Sequence, residues 1–454
     1  MRIRDFWKTG VLLLAFAGVF CWIWFVERKQ EPKPEGEREK VAVLAVDKAK
    51  AKEISLAAAG ADAIRLVKEG DAWKVTAPFA APADGSAVES LLTSLEKLEA
   101  NDVVAEQPPD PAEYGLDKPG RTITAVVEGA PAPLAVEFGT KSPDGSNVYA
   151  RAKGSPKVYL VPSWVEGSFE KKPFDLRDRN LLKVKRDAVK TLEITGPGES
   201  YALARDDKGE WVFTRPVATQ AGRWSVDGLL GTLESLRMDA VAAEDARDLK
   251  PFGLDKPVRS VTLGLAGGGT RKIEIGSSPE DRKYHARAAS STLVAVIPAA
   301  LVDDLAKGMK ELRAKRVVDV VTYEVEGVEI EAEGKKTVLA RTKQKDSEGL
   351  EQEKWARTAP GKKDLERSKV DDALFKLTGL EVQEFVDAPG ADAAYGLDAP
   401  AATVTLKREQ GKPALGLRFG KKDGAAYARR PGDAAVLKLD PAKVDEALKA
   451  FKEL

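Results

Sequence analysis

The chain has 454 residues, and its 72 Lys plus Arg balance 72 Asp plus Glu. That neutrality argues against a dedicated nucleic-acid binder, whose affinity would come from basic residues facing phosphates. A 43% hydrophobic fraction argues against a polytopic membrane protein and a mostly disordered one. With one cysteine, Cys21, and one histidine, His285, the chain cannot form an internal disulfide and has too few residues for a Cys/His metal cluster.

A short leader, 1–8, precedes an uncharged run at 9–26 that is bounded by Lys8 and by Glu27, Arg28 and Lys29. As a helix it would be about 27 Å long, enough to cross the hydrocarbon of a bilayer. Trp7 at one edge and Trp22, Trp24 and Phe25 at the other suit the headgroup boundary. No small residues there mark a cleavage site, and the large Phe20 before Cys21 speaks against a lipoprotein. The expectation is a transmembrane anchor in contact with membrane lipid. Arg2, Arg4 and Lys8 in the leader favour keeping it inside, with the bulk of the chain extracytoplasmic, at a bacterial inner membrane. Residues 27–40, charged and proline-containing, read as a solvated linker.

Beyond the linker two strings recur three times. W-x-x-T-x-P runs from Trp73 to Pro78, Trp211 to Pro216 and Trp355 to Pro360. An aromatic-G-L-D-x-P string follows at Tyr114, Gly115, Leu116, Asp117 and Pro119. It returns at Phe252, Gly253, Leu254, Asp255 and Pro257, and at Tyr395, Gly396, Leu397, Asp398 and Pro400. The two strings lie 41, 41 and 40 residues apart, which marks a triplicated module of about 140 residues. The modules are expected at 41–180, 181–317 and 318–454.

Within each module the same elements follow in order. Val88, Val226 and Val370 open helical patterns with leucines at 91, 92, 95 and 98, at 229, 230, 233 and 236, and at 374, 377 and 380. Spacing of three and four puts these on one packing face. Asp84 or Ser86, Ser225 and Ser368 are the expected N-caps. Alternating stretches around Ile123, Val261 and Val404 predict strands, and further strands hold Tyr149, His285 and Tyr427. A closing helix is clearest at 298–312 and 441–454. The expected fold class is α+β: a transmembrane helix, then three mainly antiparallel-sheet modules with two helices each, because most connections are too short for crossover helices.

Each motif has a structural and a functional reading. A tryptophan beside a strand-ending proline fits an anchored core ring better than a ligand-stacking platform. In G-L-D-x-P, glycine permits the turn, leucine plugs the core, Asp bonds nearby amides and proline starts the next strand. His285 shares its slot with Tyr149 and Tyr427, which argues against a general base. The three remain candidate ligand-facing rings. No catalytic, cofactor-binding or metal residues are singled out.

The W-x-x-T-x-P string, the leucine-rich helix, the G-L-D-x-P turn and the Leu176-Arg-Asp-Arg179 stretch together resemble the bacterial family known as domain of unknown function 4340. The resemblance covers roughly 41–454. It implies an envelope protein with one N-terminal helix, working beside an ABC transporter of the type associated with gliding motility, with the permease or auxiliary subunits as partners. It implies no reaction and no cofactor. The leading expectation is a non-enzymatic scaffold or accessory component. The alternative is a module binding envelope polysaccharide or peptide through Tyr149, His285 and Tyr427, and a carboxylate-only hydrolase is a weaker third.

Overall fold

The computed structural model describes residues 40–207, 209–345 and 351–454. The expected anchor at 9–26 lies outside the described residues. Among those described, the longest helices have 12 residues, about 18 Å at the usual rise and well short of a bilayer core. No helix there is long and apolar enough to cross a membrane. The expected fold class is therefore corrected to three antiparallel sheet modules with few helices and, among the described residues, no helix able to span a membrane.

The first sheet has nine strands: β1 (Ala51–Ala58), β2 (Ile64–Glu69), β3 (Ala72–Ala77), β4 (Ala81–Pro82), β5 (Asp102–Ala105), β6 (Arg121–Val127), β7 (Leu134–Lys141), β8 (Asn147–Ala152) and β9 (Val158–Pro162). Their spatial order is β4-β3-β2-β1-β6-β7-β8-β9-β5. Two meanders thus meet at the central pair β1 and β6. The sheets within 189–298 and 325–439 repeat this order strand for strand, and every pairing between the named strands is antiparallel. Short loops suffice for the meanders, while the step from edge strand β4 to the opposite edge β5 needs a long connection.

A helix makes that step in each module: α1 (Gly85–Glu96) in the first. The first module closes with the short α2 (Ser163–Gly167). The second uses α3 (Arg223–Glu234), then α4 (Ala300–Ala306) and α5 (Gly308–Leu312). The third has α6 (Arg367–Thr378) and α7 (Pro441–Lys452). The crossing helices bury the leucine stripe, with Val88, Val226 and Val370 each fully buried.

The expected two helices per module occur in the first and third, while the second has three. In the first, the closing helix stops at Gly167 after five residues, and a 3-10 turn, Pro173–Leu176, follows. In the second, the closing helix breaks at Gly308, whose φ is +67°, and Glu199 accepts the freed Met309 amide at 2.9 Å. The capping expectation also changes. Asp84 caps α1 through the Ser86 and Ala87 amides, but α3 and α6 start after Gly222 and Glu366 without a side-chain cap. Ser225 and Ser368 therefore sit inside the first turn.

The described residues divide into two compact units, one ending at 178 and the other running from 179 to 454. The second unit holds both later sheets, so the segment around 317 is no loose linker. There Val317 donates to Leu380 O at 2.9 Å and Val382 to Lys315 O at 2.7 Å, threading the connection into the third module.

Candidate functional site

The W-x-x-T-x-P string builds a bulge. Ala77 faces Arg65 and Val75 faces Leu66, so Thr76 is the extra residue on β3. Thr214 and Thr358 occupy the same place in their sheets. Each hydroxyl donates across the bulge to a neighbouring-strand carbonyl: Thr76 to Arg65 at 3.3 Å, Thr214 to Ala202 at 3.2 Å and Thr358 to Val338 at 3.3 Å. The peptide bonds before Pro78, Pro216 and Pro360 are cis. Trp211 and Trp355 are 2% and 3% exposed, whereas Trp73 is half-buried against its core. The Arg205 guanidinium covers the Trp211 ring at 4.7 Å.

The G-L-D-x-P string builds a second repeated device. Gly115, Gly253 and Gly396 take φ near +65°, a left-handed conformation that glycine adopts without penalty. Leu116, Leu254 and Leu397 plug the interior, while Asp117, Asp255 and Asp398 are exposed. The aromatic that opens the string meets the slot predicted to face ligand. Tyr114 touches Tyr149, Phe252 touches His285 and Tyr395 touches Tyr427, all edge-to-face with centroids 5.0–5.1 Å apart. The three slot residues thus spend a ring edge or face on their own module.

The neighbouring arginines brace the same turn. Arg151 pairs with Glu137 at 2.7 Å and donates to Leu116 O at 2.8 Å. Arg287 pairs with Glu274 at 2.8 Å. Burial alone would raise the Glu274 carboxyl, but hydrogen bonds from Lys272 and Arg287 outweigh it and hold it below its ordinary value. In the third module the charges are rearranged: Arg418 stands in the strand and both it and Arg429 pair with Asp392, at 3.2 and 2.9 Å.

A glycine beneath the turn makes the close approach feasible. A Cβ on Gly139, Gly276 or Gly420 would lie 2.1, 2.1 or 2.2 Å from the carbonyl oxygen of Tyr114, Phe252 or Tyr395. Gly276→Ala is expected to lift the turn off the sheet and cost about 1–3 kcal/mol. Urea unfolding read by hydrogen exchange of peptides spanning 252–288 should locate the loss in that turn. His285→Tyr copies the sister modules and should keep the stack on Phe252. Burial lowers the His285 pKa despite an opposing hydrogen bond to the Ser277 backbone. A group depressed in the folded state favours folding above its free pKa, and that contribution is lost as pH falls. The parent should therefore lose more melting temperature than His285→Tyr between about pH 7 and pH 5.

Sequence reasoning missed the larger feature of the second unit. A cleft of about 480 Å³ lies between the second and third modules, lined by Val212, Phe213, Thr219, Arg408, Leu417 and Arg430 among others. Arg430 and Asp433 form an ion pair at 2.8 Å with side chains only 6% and 2% exposed. Arg430 also donates to Arg316 O at 3.3 Å, and the Ala434 amide bonds Ala218 O at 2.8 Å. Nearby, Arg313 pairs with Asp387 at 2.5 Å and covers the Phe385 ring at 4.6 Å. The only signal in the sequence was an absence of matching residues: Arg430 and Asp433 have no counterpart in the sister copies. Among the described residues no group of His, Cys, Asp or Glu is placed to hold a metal ion.

Comparison with known proteins adds a family. The model described as Domain of unknown function (DUF4340) matches residues 73–222, 211–400 and 355–454. No curated protein matches the chain in sequence. Solved structures that align with it include the DNA polymerase sliding clamp from Pseudomonas aeruginosa with ligand, at 9% identity over 88% of this chain and 93% of that one, with a TM-score of 0.14. DNA polymerase III subunit beta from Pseudomonas aeruginosa aligns at 8% identity over 88% and 94%, also with a TM-score of 0.14. A likeness at that TM-score carries no argument. Matched three times in succession, from residue 73 to residue 454, the chain belongs to the family described as Domain of unknown function (DUF4340).

Proposed function

We propose that this protein is a non-enzymatic, extracytoplasmic scaffold of the bacterial envelope, an accessory component of an ABC transporter of the gliding-motility type. The observation that supports this reading is the joining of the second and third modules in one compact unit. The Ala434–Ala218 backbone bond and the Arg313–Asp387 ion pair join these modules, as a binding arm of set geometry requires. Mild crosslinking in cells followed by detergent extraction should recover the transporter permease with this chain. Recovery as a lone monomer under the same conditions would sink the proposal.

A second reading, binding of envelope polysaccharide or peptide, is favoured by a specific feature. Tyr323 and Phe375 are 65% and 72% exposed and flank a groove floored by Arg341 and Trp355. The equivalent groove of the second module carries Trp224, 72% exposed. Aromatic faces beside Arg367 and Asp371 offer both stacking and paired hydrogen bonds. Retention of the chain on isolated cell wall, lost in Tyr323→Ala with Phe375→Ala, would favour this reading over the scaffold.

A further inference from the structure

We infer that the cleft between the second and third modules binds a small amphipathic anion, its apolar body against Val212 and Leu415 and its acidic head at Arg408. This site adjoins the groove that carries Trp224, sharing Arg408 with it, and does not depend on the scaffold reading.

The cleft has the size of a pocket for a small organic molecule, about 480 Å³. Its walls are more apolar than polar: Val212 and Leu415 are half-buried along it, while Phe213 and Leu417, 1% and 2% exposed, belong to their own modules' cores. Three arginines (Arg223, Arg408, Arg430) and four acids (Asp206, Glu210, Asp319, Asp433) line it, but the buried charges at this seam are mainly basic. Arg313, Arg408 and Arg430 are all buried at this seam, and Asp433 is the one buried acid among the described residues there. Asp433 is committed to Arg430, and Arg313 to Asp387.

Arg408 has the weakest compensation of the three. Its Nε donates to Pro413 O at 2.9 Å, but the nearest carboxylate oxygen, on Glu210, is 3.8 Å from Nη1. A guanidinium that is 7% exposed costs free energy unless its donors are met. The acids at the rim do not meet them: Asp206 turns into its own hairpin, accepting the Glu210 amide at 2.9 Å, and Asp319 is exposed.

A second polar group in the cleft points the same way. Thr219 lines it at 2% exposure, and its hydroxyl oxygen finds no hydrogen-bond partner in the protein. Buried hydroxyls ordinarily have one. An anion seated at Arg408 would bring acceptor oxygens into a wall that holds unmet donors, while its apolar portion displaces water from the valine and leucine surface.

The test is fluorescence titration of the full chain with a dansyl-labelled medium-chain fatty acid, with the neutral amide of the same probe as control. The expected result is saturable binding of the acid, with the amide weaker by about tenfold or more, as loss of one charge-assisted bond predicts. Thr219→Val, nearly isosteric, should weaken acid binding while leaving or raising the melting temperature. Ala414→Trp, at an exposed rim position, should abolish binding with the melting temperature unchanged. Arg408→Gln should remove the preference for acid over amide. Equal affinity for acid and amide, unaltered binding in Ala414→Trp, or no binding by a chain with its normal melting transition would each overturn the inference. If Arg408→Gln fails to fold, Thr219→Val and Ala414→Trp decide the matter. Inorganic phosphate, added as a competitor, should not displace the probe, because it lacks the apolar body; full displacement by phosphate would also overturn the assignment.

Discussion

Asp433→Ala is expected to lower the stability of the 179–454 unit by about 3–5 kcal/mol, the usual cost of leaving one member of a buried ion pair without its partner. The reason is local. The Arg430 guanidinium is 6% exposed, its Nε donates to Asp433 at 2.9 Å, and burial already pulls its pKa down against the attraction of that carboxylate. Arg313 pushes in the same direction as burial, so removing Asp433 leaves two buried cations facing each other. Asp433 also accepts the Ala435 amide at 3.2 Å, which orders the loop that reaches Ala218. The loss should appear first at the seam. Hydrogen exchange at 217–221 and 430–435 should accelerate before that at the core strands. A double variant, Arg430→Met with Asp433→Ala, should recover much of the loss, because it removes the stranded charge and keeps apolar volume. No recovery would mean that the pair matters through its hydrogen bonds to the loop alone.

Trp211→Ala should cost a similar amount, about 3–5 kcal/mol, from lost burial and the cavity left behind. The indole is 2% exposed and lies under Arg205. Its Nε1 has no partner, so truncation sacrifices packing and the cation contact but no hydrogen bond. Trp211→Phe should therefore retain most of the stability. The same motif gives an internal control: Trp73→Ala, at a half-buried ring in the other unit, should cost about 1–2 kcal/mol. Denaturant titrations of the three single variants, with exchange readout assigning each loss to its own unit, check both the order and the location. Equal losses at Trp73 and Trp211 would show that burial does not set the cost.

Much of the module was legible before any coordinates. The valine and leucine spacing located the crossing helices, because a helix repeats its face every three to four residues whatever surrounds it. The alternation around Ile123, Val261 and Val404 located strands for the same local reason. Capping was less legible: serines at 225 and 368 resemble N-caps in composition, yet the edge strand before each helix sets where the first turn begins. The second module's closing helix was also misjudged, since a single glycine at 308 interrupts an otherwise helical pattern.

The candidate site was legible only in part. The shared slot of Tyr149, His285 and Tyr427 was visible as a position in a repeat, but its partner was not. Strand order brings each ring onto the aromatic of the G-L-D-x-P turn, 32–35 residues earlier in sequence, and nothing in local spacing foretells that. The role of Thr76, Thr214 and Thr358 likewise emerges only when the bulge is seen opposite its partner strand.

By itself, then, the sequence determined that one building block occurs three times, with the same helix face, turn string and strand alternation in each copy. Those properties follow from short-range periodicity and from strings that repeat. Only the tertiary structure decided the rest. The ring pairs, the glycine under each turn, the joining of the later two modules and the arginine-rich cleft between them all depend on residues far apart in the chain. Their meeting is dictated by the spatial order of strands and by which charges end up away from water.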